Sequence, residues 1–234
     1  MQNIKRIAIK ELSAFFTSPA AFIFLGVFLI VNLFIFFWVE KFFARNIADI
    51  RPLFEWMPIL LIFLVSALSM KMWSEERRMG TLEILMTLPQ PNAQFVVGKF
   101  IACMALVTIA LTLTLPIPIT VTFFGQLDWG PVFGAYLATL FLAGAYVSIG
   151  LFISSRTDNQ IISLIISVVI CSIFYLLGSD ALTSLFGNKG GELLKLMGSG
   201  SRFISITRGV IDLRDLYYYL SIIGVFLTLN ILTL

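Results

Sequence analysis

Apolar residues fall into long blocks along this chain, and the polar residues between them come in short clusters. Six blocks, at about 20–39, 58–73, 95–115, 132–153, 161–178 and 216–234, approach the roughly 17–25 residues that an α-helix needs to cross a hydrocarbon core. The pattern predicts an all-α integral membrane protein with six transmembrane helices. The strictly apolar part of 58–73 is short, so that helix is expected either to borrow flanking residues or to run on into the polar stretch as a continuous helix.

Before the first block, Ile4, Ile7, Ala8, Leu12, Phe15 and Phe16 recur at a helical period, while Lys5, Arg6 and Lys10 populate the other side. This predicts an amphipathic helix over 1–18 lying in the membrane interface. A signal peptide is the rival reading. The following run is too long for a signal core, and no small-residue cleavage motif closes it. Trp38, Trp56 and Trp73, near the ends of the first two blocks, are expected as interface anchors. Pro116 and Pro118 interrupt an apolar continuation of the third, as a kinked helix end or a surface turn. Small residues in the fourth, among them Gly144 and Gly150, allow a neighbour to approach closely. The 179–215 segment is less regular. Ala181–Phe186 and Leu193–Met197 are too short to cross, which fits re-entrant or outer-face helices. Tyr217, Tyr218 and Tyr219 then open the last block as an interface belt.

The longest polar interruption in the front half is Met70–Lys99. Lys71, Glu75, Glu76, Arg77 and Arg78 cannot easily share mid-bilayer depth, so the stretch belongs in water at one face. Ser74–Arg78 can continue a helix out of the membrane, and Gly80 can end it. Thr81 is expected to cap a short helix to Leu88, although Ile84 stands where a capping box needs Glu or Gln. Leu82, Ile84, Leu85 and Leu88 give that helix an apolar face, and Pro89 stops it. A docking helix and a solvated connector fit these residues equally.

Composition narrows the function. Hydrophobic residues make up 59% and charged residues 12%, with 23 Phe, against roughly a quarter charged in soluble domains. A net charge of +3 without a basic stripe gives no footprint for nucleic acid. The chain has no His, and Cys103 and Cys171 lie far apart in apolar blocks, so no metal cluster is suggested. Phosphate-binding, zinc and nucleophile motifs are missing. The carboxylates worth testing, Glu75, Glu76, Glu83, Asp158, Asp212 and Asp215, all lie in loops or at span edges. That weakens a proton-coupled transporter and an intramembrane protease. For orientation, eight basic residues fall on each side, and the first helix tips the balance toward both termini being cytoplasmic.

Glu75–Pro91, EERRMGTLEILMTLPQP, closely resembles the signature of ABC-2 type transporter permeases, at the expected place after the second span. Ile4–Phe24 looks like that family's connecting helix and first span. Ser201–Ser221 resembles its gliding-motility branch. The resemblance implies six spans, with the permease paired as a homodimer or with a related permease. A soluble ATP-binding subunit would drive it and carry ATP and Mg, so this chain itself would bind no cofactor and catalyse nothing. Glu75, Glu76, Arg77, Arg78, Gly80, Thr81 and Glu83 would form a cytoplasmic coupling and gate region over 71–94. Lys5, Arg6, Lys10 and Glu11 would belong to the interfacial helix beside the ATP-binding subunit. Residues 181–209 would be outer-face helices. The branch implies a bacterial inner-membrane location and a further partner with a large periplasmic domain. The implied function is export, with no substrate selected among lipid, glycan, small molecule or protein. The alternatives are a non-transporting mechanochemical component driven by the same kind of ATPase, and a membrane enzyme using Asp212 and Asp215.

Overall fold

The computed structural model describes residues 2–45, 47, 49–87, 89–184, 187–207 and 212–234, without the side chains of 180, 181, 187–190 and 193. All regular structure among them is helical. Helix α1 (Gln2–Thr17) leads into α2 (Pro19–Phe34), which a π-helical turn, Ile35–Val39, prolongs. Two short helices follow, α3 (Phe42–Arg45) and α4 (Arg51–Glu55). Next come α5 (Met57–Ser69), α6 (Lys71–Arg78) and α7 (Thr81–Met86), then α8 (Asn92–Thr112) and α9 (Pro116–Phe124). The second half contains α10 (Trp129–Ser155), α11 (Gln160–Leu176), α12 (Asp180–Thr183), α13 (Gly187–Met197), α14 (Ser199–Thr207) and α15 (Leu213–Thr233).

Four helix starts follow local capping chemistry. Ser18, Asp128, Asn159 and Asp212 each accept a backbone N–H two residues ahead, at 2.9–3.3 Å. Each thereby satisfies one of the donors that a helix N-terminus leaves open. Between α8 and α9 the chain does not turn away. Thr114 and Leu115 bond to carbonyls three residues back, tightening one turn ahead of Pro116, and the Thr114 hydroxyl lies 2.9 Å from the Tyr136 hydroxyl.

Five helical segments are long and apolar enough to cross a membrane: Pro19–Arg45, Met57–Arg78, Asn92–Phe124, Trp129–Ser155 and Leu213–Thr233. The protein is therefore a multi-span helical membrane protein. Helix α11 is apolar but shorter, at 17 residues. It begins beside the end of α6, where Arg77 reaches Asp158, and ends against α14, where Gly178 packs on Ser201.

Helix α10 is the centre of the bundle, flanked by α5, α6, α8, α11, α14 and α15. It is apolar all round and buried over most of its length, as such a helix must be. Glycines set its closest approaches. A Cβ on Gly144 would come within 2.9 Å of Ile223 Cδ1, the flexible tip of an α15 side chain, whereas one on Gly150 would overlap Ser69 Oγ and lie 2.9 Å from its Cβ. We therefore expect Gly150→Ala to lower stability by about 1–3 kcal/mol through overpacking. Gly144→Ala should cost less, because Ile223 can swing aside. Parallel thermal melts of the two detergent-solubilised variants check the ranking.

At the end of the bundle where α15 begins, α13, α14 and α15 are tied by one arginine. Arg202 donates to Asp215 at 2.7 Å and to the Leu196 carbonyl at 2.9 and 3.2 Å, and its guanidinium lies 4.5 Å from the Tyr218 ring centre. Tyr218 donates to the Met197 carbonyl, and Tyr219 to that of Ser199 at 2.8 Å. The expected three-tyrosine belt is thus reduced to one member. Tyr217 is exposed, while the other two turn inward because their hydroxyls complete the α13–α14 junction. Asp212 and Asp215 are engaged as a helix cap and an ion-pair partner. Of the expected outer-face segment, residues 185, 186 and 208–211 lie outside the described residues.

Candidate functional site

The opposite end of the bundle carries α1, α6, α7, the start of α8 and the α10–α11 turn. Helix α1 crosses α8 at Gly98, where a Cβ would come 2.6 Å from Ile7 Cγ2. One residue on, Lys99 points into the protein and is 1% exposed. Its Nζ donates to Glu76 Oε1 at 2.8 Å and to the Met72 carbonyl at 2.7 Å. Glu11 Oε1 lies 3.5 Å away, and the Trp73 ring centre 4.6 Å away. A buried cation requires compensation of this kind, from opposite charge and hydrogen-bond acceptors together. Lys99 therefore joins three segments that are far apart in sequence: α1 through Glu11, α6 through Glu76 and Met72, and α8 on which it sits.

A second buried contact braces the α5–α6 junction. Ser154 Oγ of α10 accepts the N–H groups of Trp73 and Ser74, at 3.1 and 3.2 Å, and donates to the Met70 carbonyl at 2.9 Å. The Ser74 hydroxyl also donates to that carbonyl. Side chains from α8 and α10 thus serve backbone groups around the junction, as buried polar backbone demands. Lys71 covers the Phe15 ring of α1 at 4.4 Å. Helix α6 is consequently fixed to the body on several sides.

Beyond α6 the chain turns at Gly80 into α7. Gly80 adopts φ +68°, the left-handed conformation that glycine takes without a Cβ clash. It occupies the cap position of α7, so Thr81 is not the cap. Thr81 lies inside the helix and returns its hydroxyl to the Glu76 carbonyl at 3.2 Å. Leu82, Leu85 and Met86 turn toward the core, while Met79, Glu83 and Ile84 face outward. Leu88 lies outside the described residues.

The candidate residues separate into two groups. Glu11 and Glu76 converge on Lys99. Arg77 pairs with Asp158 at 3.5 Å, a surface contact of little energetic weight because both side chains are over a third exposed. Among the described residues, Lys5, Arg6, Lys10, Glu75, Arg78 and Glu83 make no ion pair, and all but the half-buried Glu75 are exposed. The key residue that sequence reasoning missed is Lys99, which had been counted with the loop cations. Its one local signal is its place inside an apolar run, between Phe95-Val96 and Phe100-Ile101. Trp73 is likewise no interface anchor, because it is fully buried beside that lysine. Trp56 is partly exposed and donates to Glu40 at 2.9 Å.

A polar groove of about 350 Å³ runs between α1 and α6, lined by Lys10, Glu11, Lys71, Glu75 and Glu76 among others. Among the described residues, no group of three or more Cys, Asp or Glu side chains is placed to hold a metal ion. The site offers charge-lined surface beside a cross-braced helix.

The family model described as ABC-2 family transporter protein matches residues 6–229, nearly the whole chain. The chain belongs to the ABC-2 transporter family. No curated protein matches it. As an ABC-2 protein it is a membrane-embedded, permease-type component, and the polar end around Lys99 falls within the matched region.

Proposed function

We propose that this chain is the permease subunit of an ATP-driven exporter in the bacterial inner membrane. A separate ATP-binding subunit, holding ATP and Mg, acts on it through residues 71–94. The observation that carries this reading is the arrangement at the polar end. Helix α6 is cross-braced through Lys99 and Ser154, while α7, which follows it, packs Leu82, Leu85 and Met86 inward and presents Glu83 and Ile84 outward. A partner that grips α7 then moves α6, α1 and α8 together.

In this reading α11 is the fifth of six crossings, since 17 residues reach the lower limit for a span. Both termini are cytoplasmic, 1–18 is the interfacial helix and 179–215 is the outer-face segment. Two such permeases, identical or related, complete the path. Placement in the gliding-motility branch, with a large periplasmic partner, rests on the likeness of Ser201–Ser221 to that branch. An enzymatic reading through Asp212 and Asp215 gains no support, because both carboxylates have structural partners.

The test is partner ATPase stimulation in a reconstituted complex. Glu75→Gln, Arg78→Gln and Glu83→Gln should insert normally and uncouple ATP turnover from function. Ile84→Asp should weaken docking about tenfold or more, as loss of an interface hot spot does. Unchanged stimulation in all four variants would refute the coupling role.

A further inference from the structure

An apolar groove of about 550 Å³ lies between α1 and α8, away from the Lys99 node. Ile4, Ala8 and Leu12 of α1 line it with Ile101, Ala102 and Ala105 of α8. The room arises where Ala8 of α1 faces Ala102 and Ala105 of α8, with larger side chains flanking them. Left open at the membrane interface, such a surface would expose apolar side chains to water. One lining residue is charged. Lys5 is exposed at the groove and makes no ion pair among the described residues, and the exposed Arg6 follows it on α1. The one carboxylate on this helix, Glu11, is turned to Lys99.

We infer that this groove binds one acyl chain of an anionic phospholipid, whose headgroup phosphate pairs with Lys5. An apolar channel with a lone cation at its edge matches an anionic amphiphile in both parts. The tail removes Ile, Leu and Ala surface from water at the interface. The positive charge of Lys5 and the neighbouring Arg6 favours an anionic headgroup over a zwitterionic one. The inference rests on the interfacial placement of α1 proposed above and adds a specific site to it.

The experiment uses the full chain in nanodiscs of phosphatidylcholine carrying a trace of phosphatidylglycerol with a photoactivatable acyl chain, and a matched phosphatidylcholine probe in parallel. Crosslinks are mapped by peptide mass spectrometry. The expected result is about fivefold more labelling of peptides covering 4–12 and 97–105 by the phosphatidylglycerol probe. Lys5→Gln, on an exposed side chain, should remove that excess while leaving the fold intact, and Ala105→Phe should block labelling by filling the groove. Equal labelling by the two probes overturns the site while leaving α1 at the interface. So does labelling that neither variant changes. Absence of label on 4–12 with either probe overturns the interfacial placement, and the site with it.

Discussion

Replacing Lys99 by methionine is expected to destabilise the protein by about 3–5 kcal/mol, the cost of breaking a buried ion pair from one side. The substitution keeps a long apolar stem but leaves Glu76, Glu11 and the Met72 carbonyl without their donor. The second half of the prediction separates charge from packing. Glu76→Gln combined with Lys99→Met should recover a large part of the loss, because replacing both members of a buried pair is often close to neutral. A double-mutant cycle, read by thermal melting in detergent or nanodiscs, gives the coupling directly. If the two substitutions simply add, Glu76 and Lys99 do not interact in the folded protein. The node's value would then lie in packing rather than in joining α1, α6 and α8.

At the far end, Arg202→Leu is expected to cost a similar amount, about 3–5 kcal/mol, for the same reason. Asp215 is 7% exposed and would lose its cation, and the Leu196 carbonyl would lose both donors. Asp215→Asn should be milder, about 1–2 kcal/mol, because its side-chain oxygen can still accept from Arg202. Limited proteolysis provides the local readout. The Arg202→Leu protein should be cut faster between 179 and 215 than its parent, with the Lys99 end unaffected. Equal cleavage rates would mean that the arginine does not secure this hairpin.

The long helical segments were legible because each carries its signal locally, in a run of apolar residues, and four helices also begin at a capping side chain. Ser18, Asp128, Asn159 and Asp212 stand where they do for reasons a single turn of chain explains. The polar end was legible only as a charge cluster. Which charges face inward depends on partners far away in sequence: Lys99 is 23 residues from Glu76 and 88 from Glu11. A lysine at the edge of a loop and a lysine at the start of a buried helix look alike until the third helix has been set against the first. Trp73, Tyr218 and Tyr219 misled for a related reason. Aromatic residues with a polar tip suit a membrane surface, but they equally suit a buried place where that tip or ring face has a partner. Thr81 was misplaced by one residue, because Gly80 reaches the left-handed conformation that the cap of this short helix requires.

The Lys99 node also constrains how the protein is made. Glu11 and Glu76 leave the ribosome before Lys99, and the N-terminal portion of a chain generally takes shape first during synthesis. Until α8 arrives, the two carboxylates have no buried lysine to compensate them. Arrival of residue 99 lets both become buried together. The closing of the polar end is thereby tied to the third apolar segment.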